Sequence, residues 1–188
     1  MEGEQEQVFG LPRLNEPAPA FKAKTTHGER SLADYKGKWL ILFSHPADFT
    51  PVCSTEFMAF AKLHDQFKAK NCELLGLSID SNYAHIAWVD HAVGAADTSA
   101  VRATFLIDPD GVLRAMVYYP MSNGRSIPEF LRLLTALQTT DTNACATPEG
   151  WQPGDAVIVP PPQTAEAAEK RASEGYEYTD WYFSTKQL

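Results

Sequence analysis

The residue best suited to chemistry is Cys53, which lies in the segment 44–56 (SHPADFTPVCSTE). Thr50 is a side chain typical of a helix N-cap, and Pro51 suits the first helical position, where an N–H is not needed. We therefore expect Cys53 in the first turn of a helix, where free N–H groups and the helix dipole lower the pKa of a thiol. The resulting thiolate would be a nucleophile. The alternative is a small buried core residue, as most single cysteines are.

The elements around this loop are predicted by hydrophobic patterns. Residues 39–44 form a continuous apolar run, and residues 73–79 form a second one, as expected of strands buried on both faces. Helical spacing of apolar residues between them predicts a helix whose buried face is Phe57, Phe60, Ala61, His64 and Phe67. The unit is therefore a βαβ crossover with parallel strands. Its first loop follows the end of a strand, where open α/β sheets place their sites.

The remaining patterns predict a mixed sheet with helices on its faces. Residues 21–24 suggest a short edge strand, residues 31–35 a helical turn, and residues 83–91 a helix. Residues 101–107 and 112–119 flank a DPDG turn and predict an antiparallel hairpin. Ser126 and Glu129 predict a capping box that opens a further helix. That helix is expected to bury Ile127, Phe130, Leu131, Leu134 and Leu137. The fold class is α/β, with the main domain at residues 1–140.

Residues 141–188 have a different character and are predicted to form a C-terminal extension. Residues 148–162 are rich in proline and suggest an extended arm, and residues 164–174 suggest a short polar helix. Aromatic residues are then crowded into one short stretch: Tyr176, Tyr178, Trp181, Tyr182 and Phe183. Two alternatives stay open, namely that this cluster packs on its own domain or on a second subunit.

Composition excludes several classes of function. The net charge of −8 disfavours nucleic acid as a partner. No apolar run approaches the roughly 20 residues that cross a membrane, and the acidic N-terminus does not suggest a signal peptide. Three cysteines without a C-x-x-C spacing exclude a disulfide scaffold and favour a reducing, cytoplasmic location. The five histidines form no H-E-x-x-H motif, so we expect no metal.

The segment around Cys53 resembles a known family. The pattern Pro46-x-x-x-Thr50-x-x-Cys53 is similar to the active-site signature of the peroxiredoxins. The longer match, HPADFTPVC at residues 45–53, resembles the one-cysteine and archaeal-type thiol peroxidase subfamily. Further stretches fit the same subfamily: residues 77–81, 98–102, 118–120, 124–125 and 151–162. The resemblance implies a thioredoxin-like fold with an added arm and tail. It also implies thiol-dependent reduction of hydrogen peroxide and organic hydroperoxides, with no cofactor.

The resemblance also implies roles for individual residues. Cys53 is the peroxidatic cysteine, which attacks a peroxide oxygen and becomes a sulfenic acid. The Thr50 hydroxyl bonds both thiolate and peroxide. Arg102 holds the thiolate and polarises the peroxide, as a permanent cation with several donors can. Pro46 shields the thiolate from water.

Two further residues and the assembly are implied less directly. His45 and Arg125 are candidates for binding the substrate or for contacting the tail. The partners would be a hydroperoxide and an external thiol reductant, either thioredoxin-like or a small thiol. The arm and tail suggest a homodimer, and the family suggests that dimers join into rings such as a decamer. A rival function is a thioredoxin-like binding or chaperone module with impaired turnover.

The sequence departs from the family pattern at two places. Family members have an additional helix, strand and helix after His91, where this chain runs almost directly to Arg102. Tyr178 and Ser184 stand where a family tail has cysteines, so the tail cannot supply a resolving thiol. We expect a one-cysteine cycle in which an external thiol reduces Cys53. Cys145 is the alternative resolving thiol, and Cys72 is expected to be inert.

Overall fold

The computed structural model describes residues 11–81, 84–85 and 102–188. The chain divides into two compact units, residues 1–125 and residues 126–188. The elements of the first unit are β1 (Lys22–Thr25), β2 (Gly28–Ser31), a 3-10 turn (Leu32–Tyr35), β3 (Trp39–Ser44), α1 (Pro51–Ala69), β4 (Cys72–Leu77), β5 (Arg102–Ile107) and β6 (Leu113–Tyr119). The elements of the second are α2 (Ile127–Asn143), β7 (Val157–Ile158), α3 (Ala165–Lys170), a 3-10 turn (Arg171–Ser173), β8 (Glu177–Asp180) and β9 (Phe183–Lys186).

A mixed sheet forms the centre of the first unit, with the strand order β4-β3-β5-β6 among the described residues. Strands β3 and β4 are parallel, and Trp39 lies opposite Cys72 at the start of the pair. Strand β5 runs antiparallel to both β3 and β6. The predicted βαβ crossover and the predicted hairpin are therefore confirmed. Because β5 is antiparallel to β3, the start of β5 lies beside the end of β3, next to the loop that leads into α1 and Cys53.

The core of the first unit forms on both sides of β3. The Phe43 ring stacks on Phe60 of α1, with ring centroids 4.3 Å apart, and Phe67 of the same helix is fully buried. The prediction that His64 belongs to this buried face is wrong, because its side chain is 57% exposed. The buried stripe of α1 is centred on Phe60 and Phe67, and His64 lies at its margin beside the exposed Asp65. Ala61 is likewise exposed.

The second unit begins with α2. The predicted capping box is wrong: Ser126 is the N-cap, but it makes no side-chain capping bond to the described residues. The Glu129 carboxylate is instead held by Arg132 Nε and Nη2, each at 2.6 Å. The Glu129 backbone N–H donates to the Ser126 carbonyl oxygen at 3.1 Å. The predicted apolar face of α2 is buried at Ile127, Phe130 and Leu134 and half-buried at Leu131 and Leu137.

The arm and the tail form a small three-stranded sheet with the order β7-β9-β8. The sequence predicted the arm and the α3 helix, which Thr164 caps through its hydroxyl, but not these strands. Two of the four aromatic residues around the β8–β9 turn, Trp181 and Tyr182, contact each other edge to face and are about half exposed. The predicted domain boundary at residue 140 stays a prediction. The predicted helix at 83–91 and the stretch after His91 lie outside the described residues, apart from residues 84–85, which are helical.

Candidate active site

Cys53 occupies the position that the sequence predicted. Thr50 is the N-cap of α1 and Pro51 is its first residue, so Cys53 lies in the first turn, and it is fully buried. The loop before the helix includes Phe49, whose φ of 56° places a non-glycine residue in the left-handed region. The thiol therefore stands at the positive end of α1, directly after a loop whose backbone is constrained at Phe49.

Arg102, the first residue of β5, is brought directly to this thiol. Its Nη1 atom lies 3.3 Å from Cys53 Sγ, and its Nε donates to Met121 O at 3.0 Å. The side chain is buried, so water screens its charge little. A guanidinium is permanently charged, and at this distance it can donate a hydrogen bond to the Cys53 sulfur.

Glu56 is a site residue that the sequence reasoning missed. It lies one helical turn after Cys53, is buried, and accepts a hydrogen bond from Arg102 Nη1 at 3.1 Å. Burial alone raises the pKa of Glu56, but hydrogen bonds from Arg125 and the charges of Arg125 and Arg102 lower it overall. The carboxylate is therefore ionised between two arginines. The available signal was a charged residue three positions after Cys53, on the face of α1 that also contains Phe60.

Arg125 contacts Glu56 rather than Cys53. Its backbone N and its Nη2 each donate to the Glu56 carboxylate at 2.7 Å. Its Nη1 donates to Ala103 O and Thr104 Oγ1, and the guanidinium lies over the Phe43 ring. These contacts fix Glu56 against the sheet, and Glu56 in turn contacts Arg102. A direct role of Arg125 in binding peroxide stays a prediction.

A cavity of about 180 Å³ lies at the start of α1. Its lining includes Pro46, Ala47, Thr50, Val52, Arg102 and Met121. The resemblance implied that the Thr50 hydroxyl bonds the Cys53 thiolate, but in this structure Thr50 Oγ1 donates to Ala47 O at 3.0 Å. Ala47 precedes Thr50 by three residues, in the turn that leads into α1, and its carbonyl oxygen accepts the hydrogen bond from the Thr50 hydroxyl. The hydroxyl oxygen keeps its lone pairs for a ligand in the cavity.

His45 is buried and lines a different, larger cavity of about 770 Å³ along β4. Its Nε2 lies 3.7 Å from Asp48 Oδ1, and its ring packs edge to face on Phe57. Burial lowers the pKa of His45, so the neutral imidazole is favoured. Binding of peroxide by His45 stays a prediction.

The other two cysteines lie in different surroundings. Cys72 is buried in β4, and burial raises the pKa of its thiol to about 12. Cys145 is half-buried in the second unit, with its Sγ 3.8 Å from Thr139 O. None of the three cysteines forms a disulfide in this structure. At the tail positions, Ser184 is buried and donates to Asp180 O, while Tyr178 is exposed.

Within residues 11–81, 84–85 and 102–188, no three His, Cys, Asp or Glu side chains are grouped as metal ligands would be. In the same part of the chain, no helix has the length and apolar character to span a bilayer.

A buried thiol beside a permanent cation, in the helix that follows a central strand of a mixed sheet, is typical of a cysteine-based enzyme of the thioredoxin-fold class. Residues 14–94 match the AhpC/TSA family, and residues 136–175 match the C-terminal domain of 1-Cys peroxiredoxin. A peroxiredoxin of Aquifex aeolicus is 48% identical, over 97% of this chain and all of the relative. A peroxiredoxin of Methanosarcina mazei is 41% identical, over 94% and 98% of the two chains. This chain belongs to the peroxiredoxin family, and it is a thiol peroxidase.

Solved structures agree with this assignment. The yeast mitochondrial 1-Cys peroxiredoxin superposes with a TM-score of 0.82 at 33% identity, over 95% of this chain and all of that one. A cysteine-to-serine mutant of peroxiredoxin 6 from Arenicola marina gives 0.80 at 30% identity, over 94% and 98% of the two chains. The predicted thioredoxin-like α/β fold is thereby confirmed.

The alignment with the Aquifex relative has 221 positions, more than the 188 residues of this chain. The relative therefore has residues without a counterpart here. The match to the AhpC/TSA family ends at residue 94, within the stretch where the sequence departs from the family pattern.

Proposed function

We propose that this chain reduces hydrogen peroxide and organic hydroperoxides through a sulfenic acid on Cys53. The observation that supports this most is the 3.3 Å contact between Arg102 Nη1 and Cys53 Sγ. The thiolate sulfur attacks one peroxide oxygen, the O–O bond breaks, and the second oxygen leaves as water or an alcohol after taking up a proton. Sulfur is oxidised by two electrons, and the peroxide is reduced by the same two.

The charges around the thiol support this step. Arg102 and Arg125 contribute two positive charges and Glu56 one negative charge, which leaves one positive charge to balance the thiolate. In the transition state the leaving oxygen also becomes negative, and the Arg102 guanidinium stands ready to donate to it. Glu56 fixes that guanidinium in place, because it accepts from the same Nη1 that faces the sulfur.

The shape of the small cavity supports a hydroperoxide with a short apolar substituent. Its volume of about 180 Å³ exceeds the roughly 30 Å³ share of one water molecule several times. Pro46, Ala47 and Val52 give it apolar walls, and Thr50 Oγ1 offers an acceptor for the peroxide O–H. Pro46 would also keep water from the thiolate.

An external thiol is the proposed reductant of the Cys53 sulfenic acid. Cys72 remains protonated, since the pKa of its thiol is raised to about 12, and Ser184 and Tyr178 have no thiol. The structure of the yeast relative concerns thiol resolution through glutathione and thioredoxin systems, and we extend this class of reductant to the present chain. Cys145 as a resolving thiol, and a cytoplasmic location, stay predictions.

Turnover with a thiol donor tests the function directly. Wild-type chain with thioredoxin or glutathione should consume hydrogen peroxide and tert-butyl hydroperoxide, as should Cys72→Ser. Cys53→Ser should consume neither. If Cys53→Ser keeps the wild-type rate, Cys53 is not the nucleophile. If the folded wild type is inactive with every donor, the rival module without turnover is the better description.

Assembly into a homodimer, and a ring of dimers, is proposed from the exposed aromatic residues of the β8–β9 turn. Trp181, Tyr182 and Phe183 are between 37% and 56% exposed in the single chain, and burying them on a second copy would remove apolar surface from water. Removal of residues 176–188 should lower the mass measured by light scattering. An identical monomeric mass for both chains would contradict the dimer.

A further inference from the structure

A chain of hydrogen bonds connects the end of β4 with the Thr50 hydroxyl. At the end of β4, Ser78 Oγ donates to Asp80 Oδ2 at 2.7 Å, and the Asp80 N–H donates back to Ser78 Oγ at 3.0 Å. The same Asp80 Oδ2 accepts from the Asp48 backbone N–H at 2.9 Å. These contacts hold the Asp80 carboxylate against the loop that precedes α1.

The contact with Asp48 reaches the active site through one rigid group. The Asp48 N–H and the Ala47 C=O belong to the same peptide unit, which is planar. Its N–H is bound by Asp80, and its C=O accepts from Thr50 Oγ1 at 3.0 Å. The orientation that Asp80 gives to the N–H therefore sets the direction of the carbonyl, and the carbonyl sets the direction of the Thr50 hydroxyl hydrogen.

We infer that Asp80 is a positioning residue for peroxide reduction: it orients the Ala47–Asp48 peptide so that Thr50 Oγ1 presents its lone pairs to the peroxide O–H. The inference rests on the proposed function of Cys53 and adds a residue outside the small cavity. The hydrogen bond from Asp48 to Asp80 also helps to explain the backbone conformation of Phe49. Its left-handed φ of 56° is unfavourable for a non-glycine residue and must be held by neighbouring contacts.

The surroundings of Asp80 suit this role. Burial alone raises the pKa of Asp80, but hydrogen bonds from Ser78 and from the Asp48 N–H, together with the nearby His85 and His45, lower it overall. The ionised carboxylate is a strong acceptor for both N–H and O–H donors. Asp48 itself is a less specific target for mutation, because its own carboxylate binds His85 Nδ1 at 2.6 Å.

The test is a double-mutant cycle between Asp80 and Thr50, read as the rate of Cys53 oxidation by hydrogen peroxide. The rate is followed by rapid quenching with dimedone and mass spectrometry of the Cys53 peptide. Asp80→Ala should slow the reaction on the order of 10-fold, since misplacing a substrate-orienting group costs rate. In a Thr50→Val background, Asp80→Ala should slow the reaction by no more than about 2-fold. A change of that size is within the scatter seen when independent effects are added.

Two matched variants separate positioning from charge and from general damage. Asp80→Asn keeps an acceptor oxygen and should react within about 2-fold of the wild type. Asp65→Ala removes a fully exposed carboxylate on α1 and should leave the rate unchanged. Should Asp80→Ala fail to fold, Ser78→Ala takes its place in the cycle, with a smaller loss that is again absent in the Thr50→Val background.

Several results would overturn the inference. One is a wild-type rate of Cys53 oxidation in Asp80→Ala or in Thr50→Val. Another is an equal loss of rate on Asp80→Ala in the wild-type and Thr50→Val backgrounds. A third is a loss of rate in Asp80→Asn as large as in Asp80→Ala. A wild-type chain whose Cys53 does not react overturns the proposed function and this inference together. If the wild type reacts and only the cycle fails, the function stands and Asp80 has no positioning role.

Discussion

The start of α1 and the start of β4 each bury a cysteine, and the two thiols differ in their surroundings. Cys53 and Cys72 are 0% and 5% exposed, so both have lost most of their contact with water. Cys53 lies in the first turn of α1. Its sulfur is 3.3 Å from Nη1 of the Arg102 guanidinium. Burial, together with a smaller contribution from the nearby Glu73, raises the pKa of Cys72 to about 12. Burial alone therefore protects a thiol, whereas burial beside a fixed cation prepares it for nucleophilic attack.

Removal of the Arg102 cation should abolish most of the difference in reactivity between Cys53 and Cys72. Arg102→Ala should slow the oxidation of Cys53 by peroxide at least about 10²-fold, the cost of losing one preorganised donor in other enzymes. Stopped-flow kinetics at several peroxide concentrations measures the rate constant. Arg13→Ala, which removes a largely exposed arginine, is the control and should have no effect. An Arg102→Ala variant that folds and reacts at the wild-type rate would show that the arginine does not activate the thiol.

Replacement of Glu56 should have a smaller effect on rate and a distinct effect on stability. Glu56→Gln leaves Arg102 less firmly held and should slow peroxide attack about 10-fold. It should also destabilise the fold by about 3 kcal/mol, because it leaves Arg125 without its charged partner in a buried site.

The sign of the pH dependence follows from the lowered pKa of Glu56. This carboxyl stabilises the fold at pH values above its ordinary pKa of about 4.5, and the contribution is lost as the pH falls through its lower folded value. Thermal unfolding between pH 7 and pH 3 should therefore show a steeper loss of stability in the wild type than in Glu56→Gln. Parallel curves for the two chains would contradict an ionised Glu56 in the folded state.

The ionisation of Cys72 should affect the free energy of unfolding only at high pH. Its folded pKa of about 12 exceeds the ordinary value of 9.0, so unfolding lets the thiol ionise once the pH passes 9. The free energy of unfolding should then fall by about 1.4 kcal/mol per pH unit between these values. Denaturant titrations of the wild type and Cys72→Ala at pH 8 and pH 10 measure the difference. An equal pH dependence in both chains would contradict the protected thiol.

Most of the first unit could be predicted from the sequence because its signals are local. The apolar run at 39–44, the Thr50–Pro51 helix start and the DPDG turn each depend on neighbouring residues, and the structure confirms all three. The position of Cys53 follows from the same helix start.

The parts that could not be predicted depend on contacts distant in sequence. A glutamate on an amphipathic helix is usually exposed, and Glu56 is buried because Arg125, 69 residues later, pairs with it. The hydrogen bond from the Asp48 N–H to Asp80 spans 32 residues. The strands of the tail are short, and β9 is paired with β7 of the arm, which comprises only Val157–Ile158. Neither strand has a pattern long enough to reveal it.

The most direct test of the account is site-resolved oxidation of the three cysteines. The wild-type chain is exposed to one equivalent of hydrogen peroxide with dimedone present, and each cysteine peptide is quantified by mass spectrometry. If Cys53 is the activated thiol, a dimedone adduct should form on Cys53 while Cys72 and Cys145 stay unmodified. Adducts on Cys72 or Cys145 while Cys53 stays reduced would contradict this prediction.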